Sequence, residues 1–199
     1  MSPRPDPQCW RFWSIVCEEP FRIFFPAGVL LGLIGVSLWL LFYFGIGLPY
    51  PNVAHARLMV EGFMASFIFG FLGTAGPRLT SAPHFSFAEL GAIFTLILLA
   101  AGLHISGADR TGDVCFLICL IVFTSAVAKR FYQRKDSPPP NFVLVGPGLA
   151  AATVGTFLIA DAETAQYSKT YQFGNALLKW LLGFVSSSGR RTVFRPPLA

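Results

Sequence analysis

Four residues at alternate positions carry most of the chemistry this chain can offer. They are His55, Arg57, Met59 and Glu61, within His55-Ala-Arg-Leu-Met-Val-Glu-Gly-Phe63. Imidazole suits copper and iron, and a thioether suits Cu(I). On a helix, residues advance by about 100° each. That projection puts His55, Met59, Gly62, Ser66 and Gly73 on one face. Arg57 and Glu61 fall on roughly the opposite face, one turn apart, where an i,i+4 ion pair forms. One side therefore offers ligands beside small residues, which admit a flat macrocycle or another helix. The other side offers an internal charge pair. His104 is the histidine expected at the same depth as His55, so these two are the candidates for a shared haem or metal site. Glu61 lies more than a turn inside an apolar run, where an ionisable group is costly and marks a charge relay or a structural pair.

The elements that must hold these residues are apolar helices. Of 199 residues, 54% are hydrophobic and 13% charged, and Phe alone occurs 21 times. A soluble domain carries about 25% charged residues. The composition therefore argues for a membrane protein, and the formal charge of +5 is read as membrane topology rather than as a nucleic-acid surface. Residues 1–23 form a polar, basic segment with Arg4, Arg11 and Arg22, and with Trp10 and Trp13 suited to an interface. No cleavable signal peptide is read there.

Six apolar runs follow, at about 24–47, 53–76, 87–104, 114–128, 142–160 and 171–185. Pro77 is expected to stop the second, and Ser106–Asp113 reads as a polar loop. The fourth is short, and the sixth contains Lys179. Residues 186–199 read as a basic, disordered tail. The expected fold is thus an all-α, polytopic transmembrane bundle of about six spans. Its charges set an orientation. Arg4, Arg11, Arg22, Arg78, Lys129, Arg130, Arg134, Lys135, Arg190, Arg191 and Arg195 fall on one side; Arg57, Arg110 and Lys169 fall on the other. That bias places both termini in the cytoplasm, with His55 and His104 on the outer side and His84 on the inner.

Other chemistries are weakly represented. Cys9, Cys17, Cys115 and Cys119 form no CxxC or disulfide framework and read as small apolar residues. The chain contains no GxSxG, HExxH or phosphate loop, so hydrolytic catalysis finds no support and no catalytic residue is assigned. Gly28 and Gly32 form a GxxxG pair suited to close helix packing.

Three segments together resemble a known family. Glu19-Pro-Phe-Arg-Ile-Phe-Phe-Pro26, then His55-Ala-x-x-Met59-x-x-Gly-Phe63, then Gly70-Phe-Leu-Gly-Thr-Ala-Gly-Pro-Arg78 are similar to the first half of NnrS-type proteins. These are bacterial multi-pass inner-membrane proteins associated with nitric oxide and nitrosative stress, described as binding haem and copper. His55 matches the first histidine of the family's His-Ala-His-Glu-Met pattern, and Met59 its methionine. Arg57 stands where the second histidine is often found, Leu58 where the acid is found, and Glu61 returns an acid one turn later.

Together with the shared depth of His55 and His104, the resemblance implies haem and/or copper bound by His55, Met59 and His104, with Arg57 and Gly62 at the cofactor and nitric oxide as a ligand. It implies lipid as the surroundings and no nucleic acid. The family is typically about twice this length, which implies a homodimer or a second half-length subunit, or a shortened product. Two other readings stay open on the residues: a small proton-coupled transporter using Arg57 and Glu61, and a cofactor-free membrane scaffold built on the glycine-rich faces.

Overall fold

A computed structural model describes residues 15–46, 50–137, 142, 144–161 and 176–177. The chain divides into two units, Met1–Ser137 and Pro138–Ala199. Among the described residues every regular element is helical. Four helical segments are long and apolar enough to cross a membrane: Phe21–Tyr43, Asn52–Thr80, Phe87–Ile105 and Asp109–Tyr132. All four belong to the first unit. Of the sixth apolar run only residues 176–177 are described, and Lys179 and the tail lie outside the described residues.

Helix α1 spans Phe21–Tyr43. It ends just before Gly45, whose φ of +68° is a left-handed turn open to glycine. The second segment has three parts: α2 (Asn52–Arg57), a π-helical stretch (Leu58–Met64) and α3 (Ala65–Thr80). Pro77 does not stop α3. It sits in the last turn, and the helix closes at Ser81, which adopts a left-handed φ of 49°. Helices α4 (Phe87–Ile105) and α5 (Asp109–Tyr132) form an antiparallel hairpin through a three-residue turn containing Gly107, at φ +82°.

Small residues let α1 lie against the second segment. A Cβ on Gly28 would meet Ser66 and Phe67, and one on Gly32 would come within 2.9 Å of the Phe63 ring. From the other side, Gly62 receives Leu31, and Gly70 receives Phe25. The GxxxG pair and the strip of small residues that follows His55 thus meet each other. In lipid, where apolar contact alone gives no preference for protein over solvent, such close approach is what holds helices together. The outward positions Leu30, Leu33, Val36 and Leu40 of α1 stay exposed, as lipid-facing residues do.

The core is aromatic towards one end. Phe69 stacks on Phe123 with centroids 4.1 Å apart, Phe24 meets Phe69 edge-on, and Phe85 stacks on Phe123. That column ties α1, α3 and α5 together. Beside it, Ser86 and Glu89 form a reciprocal capping box at the start of α4. Glu89 also accepts from buried Arg130 at 2.6 Å, whose guanidinium lies 3.6 Å over the Phe85 ring. Cys115 and Cys119 are buried and donate to the carbonyls of Leu96 and Ile93 on α4.

In the second unit, α6 runs over Val145–Asp161. Gly148, Leu149, Ala152, Gly155, Thr156 and Ile159 recur along it at helical spacing.

Candidate functional site

The end of the first unit opposite the Phe85–Arg130 pair holds a cluster of ionisable groups. Arg57 comes from the end of α2, Glu61 from the π-helical stretch, His104 from the last turn of α4, and Asp109 and Asp113 from the first turns of α5. Arg57, Glu61, His104 and Asp113 are each more than nine-tenths buried. At membrane depth such groups persist only by pairing with one another.

The pairing is specific. Arg57 grips both oxygens of Asp113, with Nε 2.8 Å from Oδ1 and Nη2 donating to Oδ2 at 3.1 Å. It reaches Glu61 Oε1 only at 3.5 Å. The expected i,i+4 pair thus exists, but Asp113 is the closer partner. His104 lies between carboxylates: Nδ1 is 3.1 Å from Asp109 Oδ1, Nε2 is 3.2 Å from Glu61 Oε2, and Asp113 Oδ1 is 3.9 Å away. Ionised carboxylates only accept hydrogen bonds. Two of them facing both ring nitrogens are satisfied together when His104 is the imidazolium, or when one acid keeps its proton. Three acids therefore meet one guanidinium and one imidazole.

Local backbone explains the placement. The π-helical stretch carries Glu61, and such widened turns recur at functional sites. The polar segment expected as a loop instead winds into α5 from Asp109 onward, so Asp109 and Asp113 lie one turn apart and both turn towards His104. Gly112 makes room for the ring: a Cβ there would come within 2.6 Å of the imidazole. Any other residue at 112 would push His104 off its partners.

Glu61, His104 and Asp113 each offer one ligand atom, and the three lie within 4.8 Å of one another. Two of the oxygens have capacity left. Glu61 Oε1 makes no hydrogen bond, and Asp113 Oδ1 makes none of good geometry despite its short charge contact with Arg57. One imidazole with two carboxylates is a borderline-to-hard donor set, suited to Cu(II), Fe(II) or Zn(II) rather than Cu(I). Asp109 on Nδ1 is the orienting carboxylate that a ligating histidine usually has. A cavity of about 230 Å³ opens beside the cluster, lined by Tyr50, Ala54, His104, Gly107 and Asp109 among others.

His55 faces elsewhere. Its Nδ1 donates to the Gly35 carbonyl at 2.8 Å, and its ring meets Trp39 edge-on. A carbonyl accepts only, so the proton sits on Nδ1 and Nε2 is the acceptor nitrogen. The Met59 sulfur also packs at Gly35. His55 and Met59 therefore share a neighbourhood on α1, while His104 shares one with Glu61. Gly62 is covered by Leu31 of α1. Asp109, Gly112 and Asp113 were not among the sequence candidates. Their spacing directly before an apolar run was the available signal, since acids favour the first turn of a helix.

A family model described as NnrS protein matches residues 15–195. No curated protein and no solved structure matches the chain.

Proposed function

The chain belongs to the NnrS family, and from that premise we propose that it is a multi-pass inner-membrane protein that binds copper and/or haem and contributes to tolerance of nitric oxide and nitrosative stress. One observation carries the metal half of this reading. His104 turns Nε2 towards Glu61 and Asp113 while Asp109 holds Nδ1. Copper fits those donors as Cu(II). The His55 and Met59 pair beside Gly35 fits a softer Cu(I) site, again with the second ring nitrogen anchored on a carbonyl.

A haem shared by His55 and His104 demands more. Both nitrogens of His104 face carboxylates, so one of those contacts must open first. The cavity beside it, at about 230 Å³, is below the roughly 300–1,000 Å³ of ordinary ligand pockets. Haem therefore rests on the family, and copper on the family and the donors together.

A copper ion or haem iron held here would supply the chemistry for binding a diatomic ligand. The chain's own residues prepare the site. Asp109 fixes the His104 ring, Gly112 gives it space, and Arg57 holds Asp113 in place. Burial keeps bulk water from Glu61 and Asp113. The charge bias of the loops supports an outward-facing position for this end of the bundle.

A proton-coupled transporter is the second reading, favoured by His104 standing between two acids. Proton-coupled uptake in proteoliposomes would support it.

The test is a visible spectrum and metal analysis of protein purified in mild detergent, beside His55→Ala and His104→Ala. Copper lost in His104→Ala supports the cluster as its site. A Soret band lost in both variants supports a shared haem. Colourless, metal-free protein, despite haem and copper supplied during expression, sinks the cofactor reading.

A further inference from the structure

We propose that Arg57 is a resident counter-cation that an incoming metal ion must displace from Asp113, so that it sets how weakly and reversibly the cluster binds. The inference rests on the metal reading above and concerns a different residue from its ligands. It follows from one shared atom. Asp113 Oδ1 is the oxygen that faces His104 Nε2 at 3.9 Å, and it is also the oxygen 2.8 Å from Arg57 Nε. The same negative charge cannot serve a guanidinium and a metal at full strength.

Charge leads to the same conclusion. Glu61, Asp109 and Asp113 bring three carboxyl groups to one place, the first and last of them buried, and Arg57 is the fixed positive charge among them. Without a metal, Arg57 keeps the acids compensated, so the empty cluster stays folded at membrane depth. With a dication present, the guanidinium is a like charge a few ångströms away in a medium that screens poorly. It must give up Asp113 Oδ1 and keep at most the outer oxygen. Binding is therefore an exchange of one cation for another, and its affinity is the difference between two favourable states. Glu61 needs no such exchange, because Arg57 reaches it only at 3.5 Å.

The direction of the effect is unusual. Removing a residue in contact with the site should tighten binding. The test uses metal-free full-length protein in mild detergent, titrated with Cu(II) alone and followed by calorimetry and electron paramagnetic resonance. His104→Ala defines the signal that belongs to the cluster. Arg57→Gln is expected to raise the His104-dependent affinity by about tenfold or more, a change of about 1.4 kcal/mol. Added Cu(II) should also raise its melting temperature further than that of the unchanged protein. Arg57→Lys keeps the charge but not the two-donor grip, and is expected to fall between the two. It carries the test if Arg57→Gln does not fold without metal.

Equal or weaker His104-dependent binding in both Arg57 variants would overturn the inference while leaving the metal reading intact. His104-dependent binding that appears only in the Arg57 variants would support it. Its absence from all the proteins would overturn both.

Discussion

The two ends of the first unit bury charge in opposite ways. At one end, Arg130 meets one acid, Glu89, and both carboxylate oxygens are engaged, while Arg130 Nε is left without a hydrogen bond. Glu89 accepts from Arg130 and from the Ser86 backbone N–H and hydroxyl, while Arg130 also donates to the carbonyls of Ala126 and His84. Phe85 covers the guanidinium. At the other end, Arg57 and His104 meet three acids, and buried carboxylate oxygens keep unused capacity. The guanidinium is buried at both ends, although Glu89 keeps part of its surface exposed. What differs is whether the carboxylates are used up. The Glu89–Arg130 pair ties α4 to α5, and its carboxylate has nothing left for a ligand. An acid-rich, incompletely satisfied cluster with a histidine at its centre can still bind something.

This contrast can be broken by mutation, most forcefully at the Glu89–Arg130 end. Glu89→Ala takes the acid from a buried guanidinium and opens the cap of α4, so it should cost about 2–3 kcal/mol. Thermal unfolding in detergent would measure it. A loss below about 1 kcal/mol would mean that Arg130 does not depend on the pair. Gly112→Ala drives a methyl to within 2.6 Å of the imidazole, and overpacking of that kind costs about 1–3 kcal/mol. It should also abolish any His104-dependent copper signal.

Glu61→Gln should behave differently from Glu89→Ala. Arg57 keeps Asp113 and His104 keeps Asp109, so unfolding should shift by no more than about 1 kcal/mol. Copper affinity should nevertheless fall about tenfold or more. A stability loss as large as that of Glu89→Ala would erase the distinction between the ends.

The smallest effect lies outside the spans. Arg78, and then Arg22, hold the part-exposed Glu19 carboxyl below the ordinary glutamate range. A depressed folded-state value means the contribution is present above the ordinary glutamate value near about 4.3 and is lost as pH falls through the folded one. Glu19→Gln should therefore show a slightly flatter fall in melting temperature below about pH 4.5 than the unchanged protein. Parallel curves would remove that pair from the account.

Much of this was legible in the sequence, and the misses share a cause. Apolar runs located the four long helices, and the 3.6-residue repeat paired Arg57 with Glu61. Depth along the membrane put His55 and His104 at one level. Depth says nothing about azimuth, however. His55 turns towards α1 and His104 towards α5, and only packing decides that. Asp109 and Asp113 were read as loop because polar residues next to a turn look alike whether or not they begin a helix. The Ser86–Glu89 cap was readable from its spacing. The π-helical stretch had no such signature, since nothing in Leu58-Met-Val-Glu-Gly-Phe-Met64 distinguishes five-residue from four-residue hydrogen bonding.

That stretch has a consequence for insertions and deletions. A π turn is in effect one residue too many for an α-helix. Deleting a single residue between Leu58 and Met64 would let the segment relax to regular α-helix, and everything before it would rotate by about 100° against α3. Arg57 and His55 would both leave their partners, although no charge and no ligand had been changed. The cluster is thus encoded partly in chain length. A relative with every ionisable residue in place but one residue fewer in this stretch would not build it.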